Sequence, residues 1–328
     1  MAGEGYIGCY VLGMGFIVDP EEAQEWIAAD PRNAEVLFPY LNGEDLNSRP
    51  DSSASRWVID FNDRSEEQAA EYEIPFRRVL EQVKPERMKN NRKVYRDRWW
   101  QYAEKRPAMR EKISHLEQVL AITLVSNTVM PIRVSRKQIF SHALGVYATE
   151  SFSDQAILPG YTPWPVFGHK LGIFTIGDYS DLAVFSSGVH FAWVSKYTST
   201  LGAGINYSPS DVFETFPRPL PTDKLNDLGE KLEYERNAIA KEHGIGLTKI
   251  YNYVNGAQPT GTIDVSALRA IHSEIDSEVL SSFGWSDIDP RTGLYEIRNK
   301  QRWVPSTSAR IEVLERLLEL NRERIGAG

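Results

Sequence analysis

Three stretches of this sequence carry side chains suited to holding a polyanion. The first is RKVYRDRWWQYAEKRP (92–107), where Arg92, Lys93, Arg96, Arg98, Lys105 and Arg106 alternate with Tyr95, Trp99, Trp100 and Tyr102. Lysine and arginine neutralise phosphates and release counterions, and aromatic rings either stack or brace the backbone. The second is PIRVSRKQIF (131–140), with Arg133, Ser135, Arg136, Lys137 and Gln138. Arginine forks onto guanine and glutamine onto adenine in the major groove, which a β-ribbon can enter. The third is KYTSTLGAGINYSPSD (196–211), in which Lys196, Tyr197, Ser199, Thr200 and Asn206 flank glycines. Hydroxyls and main-chain N–H groups of such a loop can follow a phosphate backbone. Each stretch also has a plainer reading: a solvated helix face with core tryptophans, a polar strand face, and a loop capping a sheet.

The pattern within 131–140 limits what one strand can present. Side chains alternate faces along a strand. Ile132 and Val134 then face one way, and Arg133, Ser135 and Lys137 the other. Arg136 and Gln138 share the face of Val134, so a bulge or the strand end is needed for all to meet one ligand.

Charge is unevenly distributed around these stretches. The chain has 328 residues, 37 basic and 45 acidic, for a net charge of −8. From Asp19 to Glu73 there are 15 acids and 4 bases, and from Lys84 to Lys112 there are 11 bases and 4 acids. That asymmetry predicts a polyanion-facing strip on an acidic body. With 41% hydrophobic residues the chain can build a substantial core, and its length suggests about two domains. The single cysteine, Cys9, excludes an internal disulfide and fits a reducing cytoplasm. No apolar run approaches the ~20 residues of a membrane helix, and the start of the sequence lacks a signal-peptide n-region. No membrane association is therefore expected, and the expected location is cytoplasmic.

Several catalytic patterns are absent from the sequence: no GxxxxGK[ST], no HExxH, no paired Cys/His spacing and no GxSxG. Gly13–Met14–Gly15 and Gly202–Ala203–Gly204 read as a bend in extended chain and a tight turn. His190 reads as a core histidine. Asp60, Asp63 and Glu67 read as helix-start acids.

The elements that must position the three stretches are expected as follows. Residues 6–18 are extended with tight bends, and Asp19–Pro20 starts a short helix. RWVIDF (56–61) is a buried strand, and 65–88 is helical with a break at Pro75. A strand-rich block spans 119–149, followed by apolar runs at 156–159 and 171–177. The spacing of Leu182, Phe185, Val189, Ala192 and Trp193 predicts one amphipathic helix over 178–198. Beyond Pro221 three helical patterns read as a bundle. The expected fold is α+β: a mixed, mostly antiparallel sheet domain with flanking helices (1–220), then a C-terminal helical domain (221–328).

FPYLNGEDLNSRP, VKPERMKNNRKVYRDRWWQYAEKRP, the RVS at 133–135, LGAGINYSPSDVFETFPRP, GLTKIYN and FGWSDI occur in the order found in the C-terminal part of MmeI-like type II restriction–modification enzymes, and the chain resembles that part. Related adenine methyltransferases of phage-defence systems share it. The resemblance implies a target recognition domain followed by a helical region, behind an S-adenosylmethionine-dependent methyltransferase domain. It places the RVS region at the DNA. The family's Asn-Pro-Pro-Tyr/Phe motif and glycine-rich cofactor loop are not in this sequence, so no cofactor is expected in this chain itself. S-adenosylmethionine is expected in a parent or partner methyltransferase. The chain then reads as a fragment or a separately encoded specificity piece.

The resulting expectation is a non-catalytic module for double-stranded DNA. Arg133, Ser135, Arg136, Lys137 and Gln138 would read bases, and the cations and hydroxyls of 92–106 and 196–206 would hold phosphates. The rival expectation is an adaptor that docks a methyltransferase domain or subunit and meets DNA only in the complex. A methyltransferase activity of the chain alone is disfavoured by its motifs.

Overall fold

The computed structural model of the protein describes residues 6–326 other than 117, 127, 136–138, 141–143, 149–170, 175–178, 202–203 and 257–262. In the first part, strands β1 (Tyr6–Ile7), β2 (Ile17–Val18), β3 (Leu37–Leu41) and β4 (Arg56–Ile59) are interleaved with helices α1 (Pro20–Ala29) and α2 (Gly43–Ser48). Five short helices follow: α3 (Glu66–Ala70), α4 (Glu73–Gln82), α5 (Lys84–Met88), α6 (Lys93–Asp97) and α7 (Pro107–Ile113). The central block holds β5 (Gln118–Thr123), β6 (Val125–Ser126), β7 (Ile132–Ser135), β8 (Ile139–Phe140), β9 (Leu144–Ala148) and β10 (Leu171–Phe174). Then come α8 (Tyr179–Ser186), α9 (Gly188–Tyr197), β11 (Ser199–Leu201) and β12 (Gly204–Asn206). The C-terminal part is α10 (Asp223–His243), α11 (Leu247–Val254), α12 (Ser266–Ser282), the hairpin β13 (Gly293–Ile297)–β14 (Lys300–Val304), and α13 (Thr307–Gly326). The fold is α+β, as the sequence predicts.

Local sequence accounts for most helix starts. Pro20 stands at the first position of α1 with Glu21 and Glu22 beside it, where a proline loses no hydrogen bond and acids favour the helix dipole. Asn42 and Asp45 form a capping box on α2, and Ser65 and Gln68 form one on α3. Pro75 does not break the 65–88 segment. It sits in the first turn of α4, where its missing N–H costs nothing, and the break falls earlier, at Glu71–Tyr72.

A five-stranded sheet runs β1-β9-β5-β10, with β7 also paired to β5. Its pairings are antiparallel, with Leu120 opposite Arg133 and Ala121 opposite Ile132. A second sheet, β2-β4-β3-β8, includes one parallel pair, Tyr40 opposite Ile139. A third is β11-β12-β6. The central sheet separates two cores. Val119, Ala121 and Val134 enter a first core with Phe16, Val58, Phe61, Trp99 and Tyr102. Leu120, Ile122 and Leu124 enter a second, with α8, α9 and the C-terminal helices. The expected boundary near Pro221 falls inside this second core, where Phe213 and Phe216 pack with Leu225 and Leu228. Helix α10 meets α8 so closely that a Cβ on Gly229 would stand 1.9 Å from the carbonyl oxygen of Tyr179.

The predicted amphipathic helix over 178–198 is two helices. Ser187 breaks it and caps α9, its hydroxyl accepting from the His190 N–H at 3.0 Å. Both helices are buried along nearly their whole length, because they lie between the sheet and the C-terminal helices. Gly188 is needed there: a Cβ would meet Pro305 Cδ at 2.2 Å. The helical patterns beyond Pro221 are present, but α11 stands between the first two and the β13–β14 hairpin, absent from the sequence reading, joins the last two. No helix among the described residues is long and apolar enough to cross a membrane.

Candidate nucleic-acid interface

The basic run is divided between the interior and the surface. Trp99 and Trp100 are buried, edge to face at 5.8 Å, as expected for core anchors. Trp100 Nε1 and Gln101 Nε2 both donate to the carbonyl of Arg64, at 3.0 and 2.9 Å. Arg87 is buried and donates to the carbonyls of Val11, Leu12 and Gln101 at 2.9–3.1 Å; burial pushes its guanidinium down to about 10. Arg110 is buried against Asp60 at 2.7 Å, and the nearby carboxylate holds its guanidinium charged despite burial. Asp60 is therefore a buried counterion rather than a helix-start acid, and Asp63 pairs with Lys105. Glu67 does lie in the first turn of α3. Lys84 pairs with Glu66 at 3.8 Å. Three of the eleven cations of 84–112 are thus paired with acids of the preceding acidic region.

What remains outside is a compact basic knuckle between α5 and the turn after α6. Arg96 Nη1 donates to the Asn90 carbonyl at 2.5 Å, and Arg92 Nη1 donates to the Tyr95 hydroxyl at 2.8 Å. Lys89, Arg92 and Arg98 are exposed, and Arg98 has no side-chain partner among the described residues. Lys93 pairs with Asp97, and Arg106 pairs with Glu104 at 2.6 Å. Met88 and Val94 are exposed beside these cations.

Strand β7 turns Arg133 toward α8 and α10. Its guanidinium lies 4.2 Å from the Tyr179 ring centroid and 3.9 Å from Glu233, with 14% of the side chain exposed. Glu233 also accepts from the Tyr179 hydroxyl at 3.1 Å, and Arg133 Nε is buried without a hydrogen-bond partner. The guanidinium is held but not saturated. Ser135 ends β7 opposite Gln118. Arg136, Lys137 and Gln138 lie outside the described residues.

The third stretch is not a loop capping a sheet but part of one. Ser199 pairs with Asn206 and Thr200 with Ile205 in the β11–β12 hairpin. Lys196 is exposed at the end of α9, and the Tyr197 ring packs on Trp193 at 4.4 Å. Burial raises the Tyr197 hydroxyl above its ordinary value.

Other buried polar groups have structural partners. His190 is fully buried, with Nδ1 3.0 Å from the Phe185 carbonyl and Nε2 3.2 Å from the Tyr207 hydroxyl; burial lowers it to about 3. His272 shares the Tyr251 hydroxyl with Arg236 and is likewise lowered to about 3 by burial. Gly15 serves packing: a Cβ there would stand 2.5 Å from Gln82 Cβ, so the Gly13–Gly15 pair is no cofactor cradle. Among the described residues no group of three His, Cys, Asp or Glu side chains could hold a metal ion. A cavity of about 30 Å³ beside Asp276, His272 and Arg302 has room for about one water.

A solved structure of the type IIL restriction–modification enzyme MmeI in complex with DNA superposes on this chain with a TM-score of 0.63 at 17% identity. The chain shares its fold with part of MmeI. The match covers 99% of this chain and 36% of that one, so the chain spans about a third of MmeI's length. No family model and no curated protein matches the sequence. At this identity the MmeI likeness shows the fold alone, and it extends over the two cores and the hairpin alike.

Arg92, Arg96 and Arg98 lie on helix α6 and its two caps, and Lys196 lies in the last turn of α9, which leads into the hairpin Ser199–Asn206. Arg133 stands apart from both stretches in sequence, set between the central sheet and α10. Sequence reasoning missed the Tyr179–Glu233 cradle around Arg133 and the cations of β13–β14. GLYEIRNKQRWV does carry strand-like alternation, but its Arg298–Asn299 turn lacks the glycine that marks such hairpins.

Proposed function

We propose that the chain is a sequence-specific DNA recognition module of a restriction–modification or phage-defence adenine methyltransferase system, without catalytic groups of its own. The observation that carries this reading is the superposition, over nearly the whole chain, on an enzyme solved with DNA bound. Arg133 and Ser135 of β7, with Arg136, Lys137 and Gln138 that follow in sequence, read bases. Arg133 exchanges its 3.9 Å pair with Glu233 for a base edge, and its unbonded Nε leaves it capacity to do so. The α5–α6 knuckle and the α9–β11 junction hold phosphates. S-adenosylmethionine belongs to the methyltransferase domain or subunit with which the module acts.

Selection of duplexes from a random pool by the purified chain tests this directly. One short asymmetric sequence should be enriched. Salt-sensitive binding without enrichment would remove base reading, and absence of binding would remove the DNA role of the isolated chain. A second reading, an adaptor that meets DNA only in a complex, is favoured by the internal pairing of Lys84, Lys105 and Arg110 with carboxylates. It predicts duplex binding only after a methyltransferase chain is added.

A further inference from the structure

The β13–β14 hairpin lies along α9 and lines it with cations. Arg302 stands with its guanidinium 5.7 Å from the Phe191 ring centroid. Arg298, in the turn, donates from Nη2 to the carbonyls of Ser195 and Thr198 at 2.5 and 3.3 Å. Phe191 and Ser195 are four residues apart, about one turn along the same face of α9. Lys196 is exposed next to Ser195. Behind them Arg310 lies 5.9 Å from the ring of Tyr295, which is the register partner of Arg302.

These cations differ from others nearby. Lys224, Arg291 and Arg316 each have a carboxylate within 2.6–3.1 Å. Lys196, Arg298, Arg302 and Arg310 have none among the described residues, in a chain with 45 acids to 37 bases. The Nη1 of Arg310 is buried with no hydrogen-bond partner. Burial lowers Arg302 and Arg310 below the ordinary arginine range. Gathering like charges where water is partly excluded is costly unless an anion completes the set. The helix C-terminus offsets part of this, but only for Arg298, which caps it.

We propose that this face binds the phosphate backbone of duplex DNA through Lys196, Arg298 and Arg302, with Arg310 as supporting charge. The inference rests on the DNA-binding reading above and extends its α9–β11 phosphate contact, which includes Lys196, onto the β13–β14 hairpin. A guanidinium fork matches phosphate oxygens, and a row of cations on rigid elements suits a backbone rather than a base sequence.

The test is the salt dependence of duplex binding by the full chain, wild type against Lys196→Gln/Arg302→Gln. Arg298 is left in place because its loss uncaps α9. With unfolding midpoints unchanged, the double variant should bind preferred and scrambled duplexes more weakly by the same factor. It should also flatten the slope of log K against log salt by about two, one per contact. Arg302→Lys should restore the slope. An unchanged slope, with the wild type binding duplex, overturns this surface and leaves the DNA reading standing. An unchanged slope with weakened retention of a methyltransferase chain assigns the face to an acidic protein instead. No duplex binding by the wild type overturns both.

Discussion

The guanidinium of Arg236 donates from Nη1 to the carbonyl of Pro131 at 2.9 Å, tying α10 to the residue that leads into β7. Its Nε donates to the Tyr251 hydroxyl at 2.8 Å and its Nη2 to the Ser186 hydroxyl at 3.1 Å. One buried side chain thus joins α8, α10, α11 and the strand carrying Arg133. Truncation strands several buried acceptors, so Arg236→Ala should cost about 3 kcal/mol, read as a lower urea midpoint. Arg236→Lys should recover only part of it, since an ammonium cannot span three partners in the plane of a fork. A midpoint within error of wild type would contradict this.

Arg110 and Asp60 form a pair with side chains 5% and 3% exposed. Removing either partner leaves an uncompensated buried charge, and each single variant, Arg110→Met or Asp60→Asn, should lose about 3–5 kcal/mol. The double variant should lose much less than the sum, because it leaves no unpaired buried charge. A double-mutant cycle measures this, and simple additivity would refute it.

Stability should peak near neutral pH. His190 and His272 have native values lowered from 6.5 to about 3, so their stabilisation is present above pH 6.5 and lost as pH falls toward 3. Asp276 has the opposite sign. It accepts from the Gly188 N–H at 2.6 Å and the Thr292 hydroxyl at 2.8 Å, but burial outweighs these bonds and raises it from 3.8 to about 7. Its stabilisation is present below 3.8 and lost as pH rises through 7. Between about pH 4 and 6.5 the two histidines outweigh the one aspartate, and these three groups together make stability rise by roughly 1.4 kcal/mol per pH unit. Asp276→Asn should abolish the decline above pH 6.5, and His272→Gln should flatten the acid limb. Urea midpoints from pH 4.5 to 8.5 would show it.

Glu233→Gln should loosen the hold on Arg133 without emptying the site, since the amide still bonds the Tyr179 hydroxyl. If Arg133 must leave Glu233 to reach DNA, the variant should bind its preferred duplex more tightly, by about 3- to 10-fold, with the preferred sequence unchanged. Weaker binding would mean that Glu233 positions Arg133 in the complex.

Local features were legible in the sequence. The buried tryptophans and the core histidine follow from side-chain chemistry within a few residues. Contacts between distant segments were not. The pairs Lys105–Asp63 and Arg110–Asp60 join residues 42 and 50 positions apart, so a basic run that is partly neutralised read as a free strip. The hairpin turn at Arg298–Asn299 places both residues at positive φ, 50° and 61°, which composition does not announce. Its backbone cost is met by bonds to the end of α9, 100 and 103 residues away in sequence.

Strand β5 serves two cores at once, Val119 and Ala121 on one side and Leu120 and Ile122 on the other. Chimaeras between chains of this fold must therefore respect both layers. A junction placed inside 118–135 would strip both hydrophobic layers together, so neither half is a portable cassette. The transferable block is the full span of both layers, with the strand that carries Arg133 moved along with the helix that braces it.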